Sequence, residues 1–202
     1  MQFVLSDVET RAPLELHLER PMDDDAFFAF CLENSDLRIE REANGDITIM
    51  PPIGPESSHR NLDLSSQLHI WSRRDGRGQA FGPDAEFFLP TGAAYGPDAC
   101  WVHNSRLAQF TKDQKRRFLY LCPDFVIELM SPSDRLSKAQ SKMRQWIENG
   151  AALAWLIDAD QRTVYIYRPG REPELLVGPD HINGEGPVAG FRLELSDIWR
   201  GL

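Results

Sequence analysis

The chain has 202 residues, enough for one domain over 1–202 with a proper core. Its 42% hydrophobic and 26% charged residues exclude a disordered polymer, and no apolar run approaches the roughly 20 residues of a membrane helix. A net charge of -9 excludes loose, whole-surface attraction to nucleic acid, though not a local basic groove.

The opening stretch, MQFVLSDVET, shows no basic start followed by an apolar core, so a cytoplasmic protein is expected. Residues 1–20 read as a peripheral segment in which 14–18 alternate as an edge strand would. Asp23, Asp24 and Asp25 stand before an apolar stretch, acids placed where a helix N-terminus favours them, and Asn34-Ser35 close that helix. Stretches 37–41 and 46–50 flank Asn44-Gly45, a strong hairpin signal, and the prolines over 51–55 break the second strand. A helix is expected over 56–74, with Leu64, Leu68 and Trp71 on one side and Leu62 and Ile70 on another. Glu56, His59 and Asp63 form one stripe on it, either a plain polar helix start or an acid leaning into a site.

Gly76-Arg77-Gly78 turns the chain into an expected strand over 79–89, clearest at 86–89. Pro90-Thr91-Gly92 turns again, and 95–102 holds a strand introduced by Pro97-Asp98. Residues 106–118 are basic and polar, a loop or short helix. Lys112, Lys115, Arg116 and Arg117 there, and Arg73, Arg74 and Arg77 earlier, read as two solvated surfaces. The chain is organised around 121–158, read as strand, turn, helix, strand. Its first strand, 125–130, is an almost unbroken apolar run, as in a strand buried on both faces. Glu128 does not belong there, because a buried carboxylate costs several kcal/mol unless paired, protonated or bound to a cation. Ser133 or Asp134 caps a helix over 135–149 that stops at Asn149-Gly150. Leu136, Ala139, Met143, Trp146 and Ile147 share one face, and Lys142 lies roughly 90° from its centre, where its amine can point back at the strand. Strands at 153–158 and 163–168 pair across a turn, and a small strand at 175–177 precedes the tail. Cys31, Cys100 and Cys122 are odd in number and unpatterned, so reduced, mostly buried thiols are expected.

Asp98, Glu128 and Lys142 come from adjacent elements. Two carboxylates with a lysine make a phosphodiesterase-type metal site, and hard oxygens suit Mg²⁺ or Mn²⁺. Cys100 and His103 lack a second ligand pair for zinc, Ser131 and Ser133 lack a His-acid set, and no glycine-rich phosphate loop occurs. The segments GPDACWV, PDFVIELMSPSD, SKMRQWIENGAALAWLID and VYIYRPG, with PESSHRN, FFLPTG and GFRLELSDIW, resemble the Uma-two family. That family is a branch of the PD-(D/E)-x-K restriction-endonuclease-like superfamily. The resemblance implies an α/β (mixed α+β) fold, a central mixed sheet flanked by helices with an N-terminal helix and hairpin. It carries the superfamily acids onto Asp98 and Glu128, the helix-borne acid onto Glu56, and the lysine onto Lys142, with Lys138 as the alternative and Gln140 assisting. Met130 stands where the motif's strand lysine is usual.

The leading expectation is a metal-dependent DNA endonuclease. Asp98, Glu128 and the Leu129 carbonyl would hold Mg²⁺ or Mn²⁺, Lys142 would handle the attacking water, and Glu56 would hold an outer water. The rival is a weak or inactive member of the fold that binds nucleic acid or protein. A homodimer built on the hairpin, the 56–74 helix or both is expected from surplus apolar surface.

Overall fold

A computed structural model describes residues 13–202. Strand β1 (Leu14–Leu16) and helix α1 (Asp24–Glu33) precede the hairpin β2 (Arg38–Arg41) and β3 (Ile47–Met50). The remainder of the 1–20 segment, residues 1–12, lies outside the described residues. Asp23 caps α1 through its carboxylate on the Ala26 N–H, and Gly45 takes φ +90° in the hairpin turn. Helix α2 (Pro55–Asp75) begins with proline in its first turn and ends at Gly76 in the left-handed region. Then follow β4 (Gly78–Phe81), β5 (Phe87–Phe88), β6 (Ala94–Tyr95), β7 (Ala99–His103), the short α3 (Asn104–Leu107) and β8 (Leu119–Tyr120). The central block gives β9 (Phe125–Leu129), α4 (Leu136–Glu148) and β10 (Leu153–Asp158), and the chain closes with β11 (Thr163–Tyr167), β12 (Glu174–Val177), β13 (His181–Asn183), β14 (Arg192–Glu194) and α5 (Ser196–Arg200).

The central sheet has the order β12-β11-β10-β9-β7-β4. It is mixed: β9 and β10 are parallel across the α4 crossover, and the other pairs are antiparallel. Alternation decides which face each side chain meets. Phe125, Ile127 and Trp155 pack with Leu64 and Leu68 of α2, while Val126 and Leu156 pack with Met143 and Trp146 of α4. Fully burying each such side chain contributes about 1.5–3 kcal/mol. A second sheet, ordered β1-β3-β2-β6-β5-β8, carries α1 through Phe27, Phe30, Ile39, Ile47 and Phe88. Among the described residues no helix is long and apolar enough to cross a membrane.

Two expected strands divide. The strand expected over 79–89 becomes β4 in the central sheet and β5 in the second, because Gly82-Pro83 interrupts the ladder. The strand over 95–102 becomes β6 and β7 in the same way at Gly96-Pro97, so this chain segment joins the two sheets. Neither Ser133 nor Asp134 caps α4: Asp134 instead accepts from the Ser131 N–H at 2.7 Å, and Leu136 is exposed in the first turn. Cys100 and Cys122 are buried and Cys31 half-buried, all free thiols, and burial pushes Cys31 and Cys122 up to about 12.

Candidate active site

Asp98 and Glu128 meet because of strand register. In the antiparallel pair β7–β9, Ala99 faces Ile127, so the next rung sets Asp98 across from Glu128. Even-numbered residues of β9 point toward α4, which turns Glu128 to the face that carries Trp146 and Lys142. Both acids are secluded, Glu128 being 9% and Asp98 6% exposed. They lie at one side of a cleft of about 1030 Å³ between the hairpin, the start of α2 and the start of α4.

Each buried charge has partners. Trp146 Nε1 donates to Glu128 Oε1 at 2.8 Å, and Lys142 Nζ stands 3.0 Å from the same oxygen. Lys142 also donates to Glu40 Oε1 at 2.8 Å and lies 5.4 Å from the Tyr95 ring centroid. Asp98 Oδ2 accepts the Leu129 N–H at 2.8 Å, while Oδ1 takes Arg38 Nη1 at 3.2 Å and Asn61 Nδ2 at 3.4 Å. Burial pushes the Glu128 carboxyl upward, with Lys142 opposing and Asp98 and Glu40 adding to it. Burial alone would lower the Lys142 amine, but Glu128 and Glu40 outweigh it and hold the amine above its ordinary range. Lys142 is therefore a cation at neutral pH.

Asp98, Glu128, the Leu129 backbone and Lys142 are thus brought together. Glu56 is not. It is half-exposed on the far side of α2, paired at 3.0 Å with Arg60, whose Nε donates to Ile198 O at α5. The stripe that suggested an inward acid faces the C-terminal segment instead. Lys138 pairs with Glu15 of β1 rather than with the buried acids. Gln145, not Gln140, reaches inward, accepting from the Tyr95 hydroxyl at 2.7 Å. Neither basic cluster lines the cleft; Arg77 pairs with Asp75, and Arg117 pairs with Asp25 and stacks on Phe28.

Three contributors escaped the sequence reading: Glu40, Arg38 and Asn61. Glu40 is 2% exposed and also accepts the Gly96 N–H at 3.1 Å, making it a third buried carboxylate. Arg38 and Glu40 sit two apart on β2 and so share a face. A charged pair at that spacing opposite Ile39, which enters the core, was the available signal.

The donor chemistry suits a hard divalent cation. Carboxylate and peptide oxygens are the available groups, and the buried Asn61 Oδ1 beside Asp98 has no hydrogen-bond partner. Among the described residues no three acidic, imidazole or thiol groups stand converged on one point, since Lys142 and Arg38 lie between the acids.

A family model described as "Putative restriction endonuclease", Uma2, matches residues 24–196. The chain belongs to the Uma2 family. A crystal structure of a putative nuclease belonging to DUF820, from Anabaena variabilis, superposes with a TM-score of 0.73 at 23% identity, over 89% of this chain and 98% of that one. The Uma2 chain therefore has the restriction-endonuclease-like fold, a mixed sheet flanked by helices. The curated proteins give no match.

Proposed function

We propose that this protein is a metal-dependent endonuclease that hydrolyses DNA phosphodiester bonds. The observation that carries this reading is the pairing of Asp98 opposite Glu128 across the β7–β9 ladder, with Lys142 of α4 3.0 Å from Glu128 Oε1 and the group bordering a cleft. Family membership supports a nuclease of some kind. Asp98, Glu128 and the Leu129 carbonyl would hold Mg²⁺ or Mn²⁺. When bound, such an ion lowers the pKa of a water and balances charge growing on phosphate oxygens. Glu128 holds its orientation through Trp146, which leaves the carboxylate fixed toward the cleft. Lys142 lies within reach of the same oxygen and can orient the attacking water or stabilise the developing phosphorane charge. Glu40 fixes the lysine from the opposite wall.

Plasmid nicking in Mg²⁺ or Mn²⁺ tests the proposal. Cleavage by the wild type, lost by at least about a hundredfold in Glu128→Ala and Lys142→Met, supports it. One observation favours the rival, a binding module: Met130 occupies the strand position two after Glu128. Absence of cleavage on duplex, single-stranded DNA and RNA, with Mn²⁺ still bound, would decide for the module. The exposed apolar residues of α2, Leu62 and Ile70, support a homodimer through that helix.

A further inference from the structure

The Oδ1 oxygen of Asp98 is fully engaged as it stands. A carboxylate oxygen offers about two lone-pair positions. Oδ2 is directed onto the Leu129 N–H, and Oδ1 receives both Arg38 and Asn61. A cation that binds Oδ1 must displace one of those donors. Asn61 is short and anchored on α2, 8% exposed. Arg38 is long, its side chain is one-third exposed in the cleft wall, and it carries the same charge sign as the incoming ion. Coulomb repulsion makes it the group that leaves.

Its present hold is also incomplete. The Arg38 Nη1 contact to Asp98 is 3.2 Å, longer than the 2.7–2.9 Å or so of a strong charge-assisted bond. Nη2 donates to Gly96 O at 2.7 Å, and Nε is buried with no acceptor. An unpaired buried donor on a guanidinium that borders a cleft is unspent capacity for an anion. Once released from Asp98, Nε with a terminal nitrogen would offer the planar fork that fits two phosphate oxygens.

Resting on the nuclease reading, we infer that Arg38 is an exchangeable counter-ion: it neutralises Asp98 in the cation-free protein and transfers to a substrate phosphate oxygen when a divalent cation takes Asp98. Arg38 is thus a substrate-positioning residue whose release is coupled to loading of the site. No bond is made or broken in this exchange; one ion pair replaces another.

The coupling has a sign that a purely structural arginine lacks. If Arg38 leaves Asp98 free only about a tenth of the time, apparent cation affinity is weakened about tenfold. Mn²⁺ binding to the full chain, followed by electron paramagnetic resonance of the free ion, should therefore tighten about tenfold in Arg38→Met and vanish in Asp98→Asn. Arg38→Met should lose melting temperature without metal and gain more than wild type when Mn²⁺ is added. With Ca²⁺ in place of Mn²⁺, a short single-stranded oligonucleotide should bind Arg38→Met about tenfold more weakly than wild type, the scale of one lost charge-assisted phosphate contact. Should that variant not fold, the wild type still answers: adding Mg²⁺ should shift the Arg38 Nε–H resonance, assigned by its loss in Arg38→Lys. Wild type binding Mn²⁺ with Arg38→Met no tighter, or an Arg38 resonance unmoved by Mg²⁺, overturns the exchange while leaving the nuclease reading intact. No Mn²⁺ binding by wild type or Arg38→Met overturns both.

Discussion

At the scale of single residues, the molecule handles buried acids in two ways. Glu128 is paired, with an indole N–H and an amine on one oxygen. Glu86 is not: its Oε1 is buried without a hydrogen-bond partner. Burial pushes its carboxyl up to about 8, Glu40 adds to this, and Lys142, Arg38 and Arg41 oppose it. Glu86 is therefore largely protonated at neutral pH. The sign of the linkage follows. Between the ordinary value of 4.5 and about 8, the folded chain keeps a proton that the unfolded chain has released. Stability from this group is present at low pH and falls as pH rises through that window. Each pH unit removes up to about 1.4 kcal/mol, or roughly 3–6 °C of melting temperature for a chain of this size. Glu86→Gln keeps the shape and cannot ionise. Its melting temperature should fall less steeply than wild type between about pH 5 and pH 8, and thermal scans of both proteins across that range check it. Parallel curves would mean that Glu86 ionises freely in the fold. The sequence disclosed Glu128 because a charge interrupts an apolar run, and it disclosed Asp98 through Pro-Asp. Glu86 was hidden because it reads as an ordinary polar residue of the strand expected over 79–89, next to Phe87 and not inside an unbroken apolar run.

At the scale of elements, identical signals acquired different uses. Pro97-Asp98 and Pro123-Asp124 both open strands, β7 and β9. Asp98 enters the cleft, whereas Asp124 accepts the His103 N–H at 2.9 Å and pairs with Arg106 at 2.8 Å. The second aspartate ties α3 to the sheet. Only pairing separates the two, and pairing is a non-local property that a dipeptide does not carry. The 121–158 block was legible because its helix and strand periods are strong and contiguous. The β4–β8 region was not, since its two-residue strands gain their ladder partners from distant chain. Close packing there is nevertheless strict. A Cβ on Gly78, at the start of β4, would meet the Trp101 ring at 2.3 Å and the Val102 carbonyl oxygen at 2.4 Å. Trp101 is fully buried and its Nε1 donates to Ser72 Oγ, so it has no room to yield. Gly78→Ala should cost about 1–3 kcal/mol, as overpacking does. Urea unfolding at fixed slope would register it as a lower midpoint. An unchanged midpoint would show that β4, an edge strand, shifts freely.

At the scale of the whole molecule, two sheets face one cleft, and the ties across it are ionic. Arg38 and Glu40 of the outer sheet reach Asp98 and Lys142 of the central layer. The apolar surface left over lies elsewhere. Among the described residues, β1 pairs along β3 on one side of the hairpin, and β6 meets β2 at Arg41 on the other. On α2, Leu64 and Leu68 are fully buried, but Leu62 is 66% and Ile70 51% exposed. Eight residues apart, they lie within about 80° of each other around the helix. A helix against its symmetry mate would bury both at once, as a twofold interface requires. Light scattering at micromolar concentration should therefore give about twice the 23.0 kDa chain mass. The double variant Leu62→Glu and Ile70→Glu should run at the single-chain mass with its melting temperature held within about 2 °C at low protein concentration, since exposed positions contribute little to the monomer. A wild type that scatters as a single chain at these concentrations would remove α2 as an interface and leave those two side chains as ordinary exposed apolar residues.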